Sequence, residues 1–69
     1  MIDNFALKLA QDKQKMYQSF TLADIVLCLD FEFGIKATVD EVYEVLSKYG
    51  MYRVHGDMNC EYYALKDGI

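Results

Sequence analysis

The sequence predicts an α+β domain in which three helices are followed by a C-terminal two-stranded β-hairpin. Three observations support this prediction. Apolar residues recur at helical spacing in the first two thirds of the chain, threonine capping patterns precede two of these segments, and the spacing changes to alternation after Gly50. A chain of 69 residues has room for one small core, so we assign residues 1–69 to a single domain.

The first predicted helix covers about residues 3–18, because its large apolar side chains fall within a narrow arc of a helical projection. That arc contains Ile2, Phe5, Leu9, Met16 and Phe20. Thr21 and Asp24 then form an acidic variant of a capping box. The pattern predicts a second helix over about residues 22–33, with Gly34 as its stop.

A second capping pattern, Thr38 to Glu41, opens the third predicted helix, which covers residues 39–49 and ends at Gly50. Its apolar stripe is Val39, Val42, Tyr43, Leu46 and Tyr49. The alternating segments "MYRVH" and "EYYAL" predict two half-buried strands, the first with Tyr52 and Val54 facing inward, and "GDMN" predicts the turn between them. Gly68 is expected in a frayed tail.

The segment "VYEVLSKYGMYRV", followed by "YYAL", has a helix, a glycine and a hairpin in close succession. It resembles the winged helix-turn-helix superfamily, whose order of elements is helix, short strand, helix, helix, hairpin. Members of that superfamily commonly place the third helix in the major groove of DNA and the hairpin, or wing, on the backbone. The resemblance implies a winged-helix-like fold and makes DNA binding one function to consider.

The charge pattern departs from that DNA-binding expectation. The solvent face predicted for the third helix consists of Asp40, Glu41, Glu44, Ser47 and Lys48. Residues 21–50 hold two lysines and six acids, and the whole chain has a formal net charge of −4. Acids repel phosphates, and affinity for duplex DNA comes largely from counterion release by Lys and Arg. The face therefore suits a basic protein surface better, although an ordinary solvated helix surface is the alternative.

The second helix has apolar residues on two sides. Its predicted core side consists of Leu22, Ile25, Val26, Leu29 and Phe33. Leu27 and Phe31 project from the opposite side, one helical turn apart. Either the hairpin or the first helix covers this pair, or the pair forms a surface for a partner or for a homodimer.

These observations lead to two hypotheses. The first is a small protein-binding regulator or inhibitor that uses the acidic third-helix face, with Leu27 and Phe31 as apolar anchors. Free-standing chains of this size and form are similar to small regulators and inhibitors encoded by phages and other mobile elements. The second is a dimeric DNA-binding transcriptional regulator. Its backbone contacts would come from Lys8 and Lys15 on the first helix or from Arg53 and His55 on the wing.

We expect no enzymatic activity, no cofactor and no metal site. His55, Asp57, Cys60 and Glu61 lie within "HGDMNCE", but their spacing matches no zinc signature. Cys28 lies inside "VLCL", where a buried, unreactive thiol is the ordinary interpretation, so a nucleophile–base pair of Cys28 with His55 is not expected.

The sequence also predicts where the protein resides. The longest unbroken apolar run, "IVLCL", is far shorter than the roughly 20 residues of a membrane span. The start, "MIDNFALKLAQDK", has no pattern of a cleavable signal peptide. We therefore expect a cytoplasmic protein with two reduced cysteines and no membrane partner.

Overall fold

The computed structural model describes residues 2–66; Met1 and residues 67–69, and with them the predicted tail at Gly68, lie outside the described part. The elements are α1 (Asp3–Tyr17), α2 (Leu22–Phe33), α3 (Val39–Ser47), β1 (Met51–Gly56) and β2 (Glu61–Leu65). Three helices are followed by an antiparallel hairpin, which confirms the predicted α+β arrangement. Within residues 2–66, no helix combines the length and the apolarity needed to cross a bilayer.

Local chemistry explains both ends of α2, whose bounds agree with the prediction. The Thr21 hydroxyl oxygen accepts a hydrogen bond from the backbone N–H of Asp24 at 3.1 Å, which satisfies one of the free donors of the first turn. At the other end Gly34 adopts a left-handed φ of 67°, and its N–H donates to the carbonyl of Asp30 at 2.9 Å. The chain can leave the helix there because glycine has no Cβ to oppose that φ.

The capping box predicted at the start of α3 is present in full. The Thr38 hydroxyl oxygen accepts from the backbone N–H of Glu41 at 3.1 Å, and the Glu41 carboxylate accepts from the backbone N–H of Thr38 at 2.8 Å. The helix ends at Ser47, two residues before the predicted end, because the backbone tightens: the N–H of Tyr49 donates to the carbonyl of Leu46 at 3.0 Å.

Replacing Thr38 by alanine should lower the free energy of unfolding by about 0.5–2 kcal/mol, because the first turn of α3 loses its side-chain acceptor. Thr38→Ser, which keeps the hydroxyl, is the matched control and should cost less. Urea unfolding followed by circular dichroism measures both. The folded-state spectrum should stay the same in the two variants, and equal stability of Thr38→Ala and wild type would contradict the role of the cap.

Strand β2 is held along both of its edges. On one side it pairs with β1, in a register interrupted by a bulge at Val54. On the other side Phe20, between α1 and α2, exchanges two backbone hydrogen bonds with Tyr63, at 2.8 and 2.9 Å. Further along that edge the Gln14 amide of α1 accepts from the N–H of Leu65 and donates to its carbonyl. The hairpin is therefore fixed to the helices through β2.

The core lies where the three helices meet β2, and α1 enters it through small residues. The buried apolar residues are Ala6, Leu9, Ala10, Phe20, Leu22, Ile25, Leu29, Val42, Val45, Leu46, Ala64 and Leu65. The predicted stripe of α1 was wrong for Phe5 and Met16, which are exposed, whereas Ala6 and Ala10 are fully buried. Alanines on the inner face leave room for the neighbouring elements to approach the α1 backbone closely.

Several large side chains predicted for the core lie at its edge instead. Phe33 of α2 is partly exposed and packs on the ring of Phe5, with ring centroids 4.7 Å apart. In α3, Val39 and Tyr43 are exposed. Val45, which was not in the predicted stripe, is buried.

The inward alternation predicted for β1 was also wrong. Tyr52 and Val54 are both exposed, while Met51 packs against the core. The strand lies at the edge of a two-stranded sheet, so the apolar side chains of β1 do not all have a layer to pack against.

Candidate protein-binding surfaces

The outward side of α3 presents three exposed acids, Asp40, Glu41 and Glu44, which form its acidic face, and the carboxylates of Asp40 and Glu44 are the ones free of local hydrogen bonds among the described residues. These two residues lie four apart, which places them one above the other on the helix. In the described residues neither forms an ion pair. Glu41 is also exposed, but its carboxylate is occupied by the backbone N–H of Thr38, so it stabilises the start of the helix.

The polar residues at the end of α3 do not neutralise this face. Lys48 does not pair with Glu44, as the four-residue spacing suggested; its ammonium lies 3.8 Å from the Asp3 carboxylate of α1. The Ser47 hydroxyl donates to the backbone carbonyl of Tyr43 at 2.7 Å, within the same helix. Ser47 and Lys48 are thus used in local and interhelical contacts.

Leu27 and Phe31 lie on the outward side of α2 and are covered by neither the hairpin nor α1. Leu27 is 65 % exposed and Phe31 is 91 % exposed. Of the two alternatives left open by the sequence, coverage by the hairpin or the first helix is therefore not found within residues 2–66. The pair lines a shallow, open depression together with Cys28 and Asp30.

Three acids lie on the same helix as this apolar pair, and one of them, Asp30, lines the depression. Asp24 and Glu32 are exposed on α2, and the helix contains no Lys or Arg. Asp30, at the margin of the depression, forms an ion pair with Lys36 of the following loop. The Lys36 ammonium lies 3.0 Å from each carboxylate oxygen of Asp30. The pairing of Asp30 with Lys36 was not anticipated, because the two residues are six apart and joined across the Gly34 bend rather than along one helix.

The residues assigned to the DNA-binding alternative lie on two elements. Lys8 and Lys15 are exposed on α1. Arg53 of β1 forms an ion pair with Glu61 of β2, so its charge is offset across the hairpin. The imidazole of His55 stacks on the ring of Tyr62, with centroids 4.5 Å apart and planes 20° apart.

The hairpin turn is built around the Asp57 side chain. The Asp57 carboxylate accepts backbone N–H bonds from Asn59 at 2.8 Å and from Cys60 at 2.9 Å. These two hydrogen bonds favour the ionised form and lower the pKa of Asp57. Among residues 2–66, no three His, Cys, Asp or Glu side chains are grouped as metal ligands would be.

A groove lies between the starts of α2 and α3 and the hairpin turn. Val39 and Cys60 are among the residues that line it, with Leu22 and Tyr63 below. Tyr43 packs edge-on against Tyr63, with ring centroids 6.1 Å apart. This groove explains why Val39, predicted for the core, is partly open to solvent.

Exposed acids and an uncovered apolar pair are thus the main surface features of α2 and α3. The described cations of the loop and hairpin, Lys36 and Arg53, are each paired with an acid of the chain. Comparisons with protein-family models, with curated proteins and with solved structures found no match for this chain.

Proposed function

We propose that this chain is a small, non-enzymatic protein-binding module, a regulator or inhibitor, whose acidic α3 face contacts a basic surface of its partner. Leu27 and Phe31 serve as apolar anchors for the same partner. The observation that supports this most directly is that Asp40 and Glu44 are exposed and form no ion pair within residues 2–66. Such charges raise the rate of association with a partner of opposite sign.

The placement of the cations supports a protein partner over duplex DNA. A DNA-binding surface needs several Lys or Arg side chains free to replace counterions at the phosphates. Three of the seven are paired with acids of the chain, namely Lys36, Lys48 and Arg53. Pairing lowers the contribution that each could make to phosphate binding.

A DNA-binding dimeric regulator is the second candidate. The observation in its favour is that Lys8 and Lys15 are exposed on α1. They would contact the phosphate backbone, and the hairpin would act as the wing implied by the winged-helix resemblance. The acidic α3 would then have to lie away from the duplex, in contrast with the usual use of the third helix in that superfamily.

The proposal places the protein in the cytoplasm. Cys28, half-buried on α2, and Cys60, exposed in the hairpin turn, are both free thiols. An unpaired, exposed cysteine suits a reducing compartment.

Charge reversal on α3 tests the two functions against each other. Glu41 should be left in place, because its carboxylate caps the helix. Wild type should show no binding to a labelled random duplex in fluorescence anisotropy at about 50 mM salt, and Asp40→Lys with Glu44→Lys should introduce weak, nonspecific binding. Affinity capture from the native host should yield a partner that the double variant loses and that added salt weakens.

Asp12→Lys, at an exposed position of α1, is the control for a change of charge outside the face. The Asp12→Lys variant should still capture the partner. Micromolar or tighter duplex binding by wild type would argue for the DNA-binding regulator, provided that Lys8→Ala, Lys15→Ala or Arg53→Ala removes it.

A further inference from the structure

We propose that the outward side of α2 is a docking site for a basic amphipathic helix of the partner protein. Apolar side chains of that helix would lie in the depression beside Phe31, and its Lys or Arg side chains would meet the acids of α2. The inference rests on the proposed function, since it assumes a protein partner, and it names the segment that the partner supplies.

The shape of the surface fits a helix. Leu27 and Phe31 lie one turn apart, and the depression between them is also lined by Cys28 and Asp30. The exposed part of α2 from Asp24 to Glu32 covers two turns, a length that a second helix can cross with one or two apolar residues. Aromatic residues, Phe among them, are enriched in protein–protein interfaces.

The acids of α2 indicate that the partner's helix carries positive charge. Asp24, Asp30 and Glu32 lie on α2, which has no cation of its own. Within residues 2–66, Asp30 is paired with Lys36, whereas Asp24 and Glu32 form no ion pair, although Lys13 of α1 lines a pocket together with Asp24. A partner with acids or with no charge would leave Asp24 and Glu32 beside a desolvated surface without compensation. A helix with Lys or Arg beside its apolar stripe would provide the compensating positive charge. Amphipathic helices are known to bind proteins in this way, with their apolar side in a hydrophobic groove.

The same charges disfavour a second copy of this chain as the occupant. A two-fold axis brings the same surface of both copies together. The acids of one α2 would then approach the acids of the other, and Lys36, the cation beside the depression, is already paired with Asp30 of its own copy. An anionic membrane surface is disfavoured for the same reason.

A synthetic peptide of about 18 residues, or five helical turns, with Leu on one face and Lys on the others, is a suitable probe. Two comparison peptides separate the contributions: a scrambled sequence of the same composition, which has no apolar stripe, and a version with Glu in place of Lys. Binding to the full chain is measured by fluorescence anisotropy at physiological salt. The Leu/Lys peptide should bind with a dissociation constant below about 100 µM, and both comparison peptides should bind at least about 10-fold more weakly.

Phe31→Ser should weaken binding of the Leu/Lys peptide by about 10-fold or more. Met58→Ser is the matched control, because Met58 is 99 % exposed in the hairpin turn and does not line the depression beside Phe31, so its loss should leave binding unchanged. Equal binding by the scrambled peptide, no effect of Phe31→Ser, or no binding of the Leu/Lys peptide would overturn the inference. So would a wild-type dimer in sedimentation that Phe31→Ser converts to a monomer.

The variant with Asp40→Lys and Glu44→Lys distinguishes this inference from the proposed function. If the α3 variant does not bind the Leu/Lys peptide but Phe31→Ser still does, the peptide binds to α3. In that case the inference fails and the proposed function stands. If Phe31→Ser alone loses the peptide and the α3 variant still captures the natural partner, the inference holds and the role assigned to the acidic face fails.

Discussion

Ile25→Ala is expected to lower the free energy of unfolding by about 2–5 kcal/mol, the largest effect among the changes considered. The Ile25 side chain is fully buried on the inner side of α2, in the same core as Leu29, Val42 and Leu46. Truncation removes buried methyl and methylene groups and leaves a cavity that the surrounding helices fill only in part. A domain of 69 residues has a total stability of roughly 3–10 kcal/mol, so the variant should be largely or partly unfolded.

Leu27→Ala is the matched control, because it removes an apolar side chain from the same helix, two residues away, on the exposed side. Its effect should stay within about 0.5 kcal/mol. Guanidinium unfolding of both variants and wild type gives the comparison. If the two variants lost similar stability, α2 would have to face the core with a different side.

Gln14→Met is expected to have the second largest effect on stability. The Gln14 amide donates to the carbonyl of Leu65 at 3.2 Å and accepts from its N–H at 2.7 Å, so it continues the backbone pairing of β2. Methionine has a similar size but provides neither bond. Leaving a buried donor or acceptor unsatisfied costs about 1–3 kcal/mol for each group, and Leu65 is buried.

Amide hydrogen exchange of Leu65 gives a direct readout of the same change. Its N–H should exchange faster in Gln14→Met than in wild type, relative to the amides of α3. Gln11→Met, the same substitution about one turn earlier in α1, should leave the Leu65 amide protected. Unchanged protection in Gln14→Met would show that the bond contributes little to holding β2.

The ends of the helices could be predicted from the sequence because they depend on neighbouring residues. Thr21 caps α2 through a residue three positions away, and Gly34 ends it through its own backbone freedom. The capping box of Thr38 and Glu41 is equally local. Such interactions form between groups already close in the chain, so a short segment contains the information for them.

The exposure of the acids on α3 also follows from local periodicity. Asp40 and Glu44 lie opposite the buried Val42 and Leu46, and a helix with one apolar stripe places its charges on the other side. The ion pairs formed by the cations could not be predicted from local periodicity. Lys48 pairs with Asp3, which is 45 positions away in the chain, and not with Glu44 in its own helix.

Tertiary packing decided which residues of α1 are buried and what remains uncovered on α2. The predicted stripe was right for Leu9 but wrong for Phe5 and Met16, which are exposed. Ala6 and Ala10 are buried beside Leu9, because burial depends on how closely the other helices approach. The exposure of Phe31 likewise depends on the absence of any described element over that side of α2. The contact of Gln14 with Leu65 joins residues 51 positions apart, and nothing in either local segment specifies it. Local hydrogen bonds and periodicity are set within a few residues, whereas burial and long-range pairing depend on all the elements that fold together.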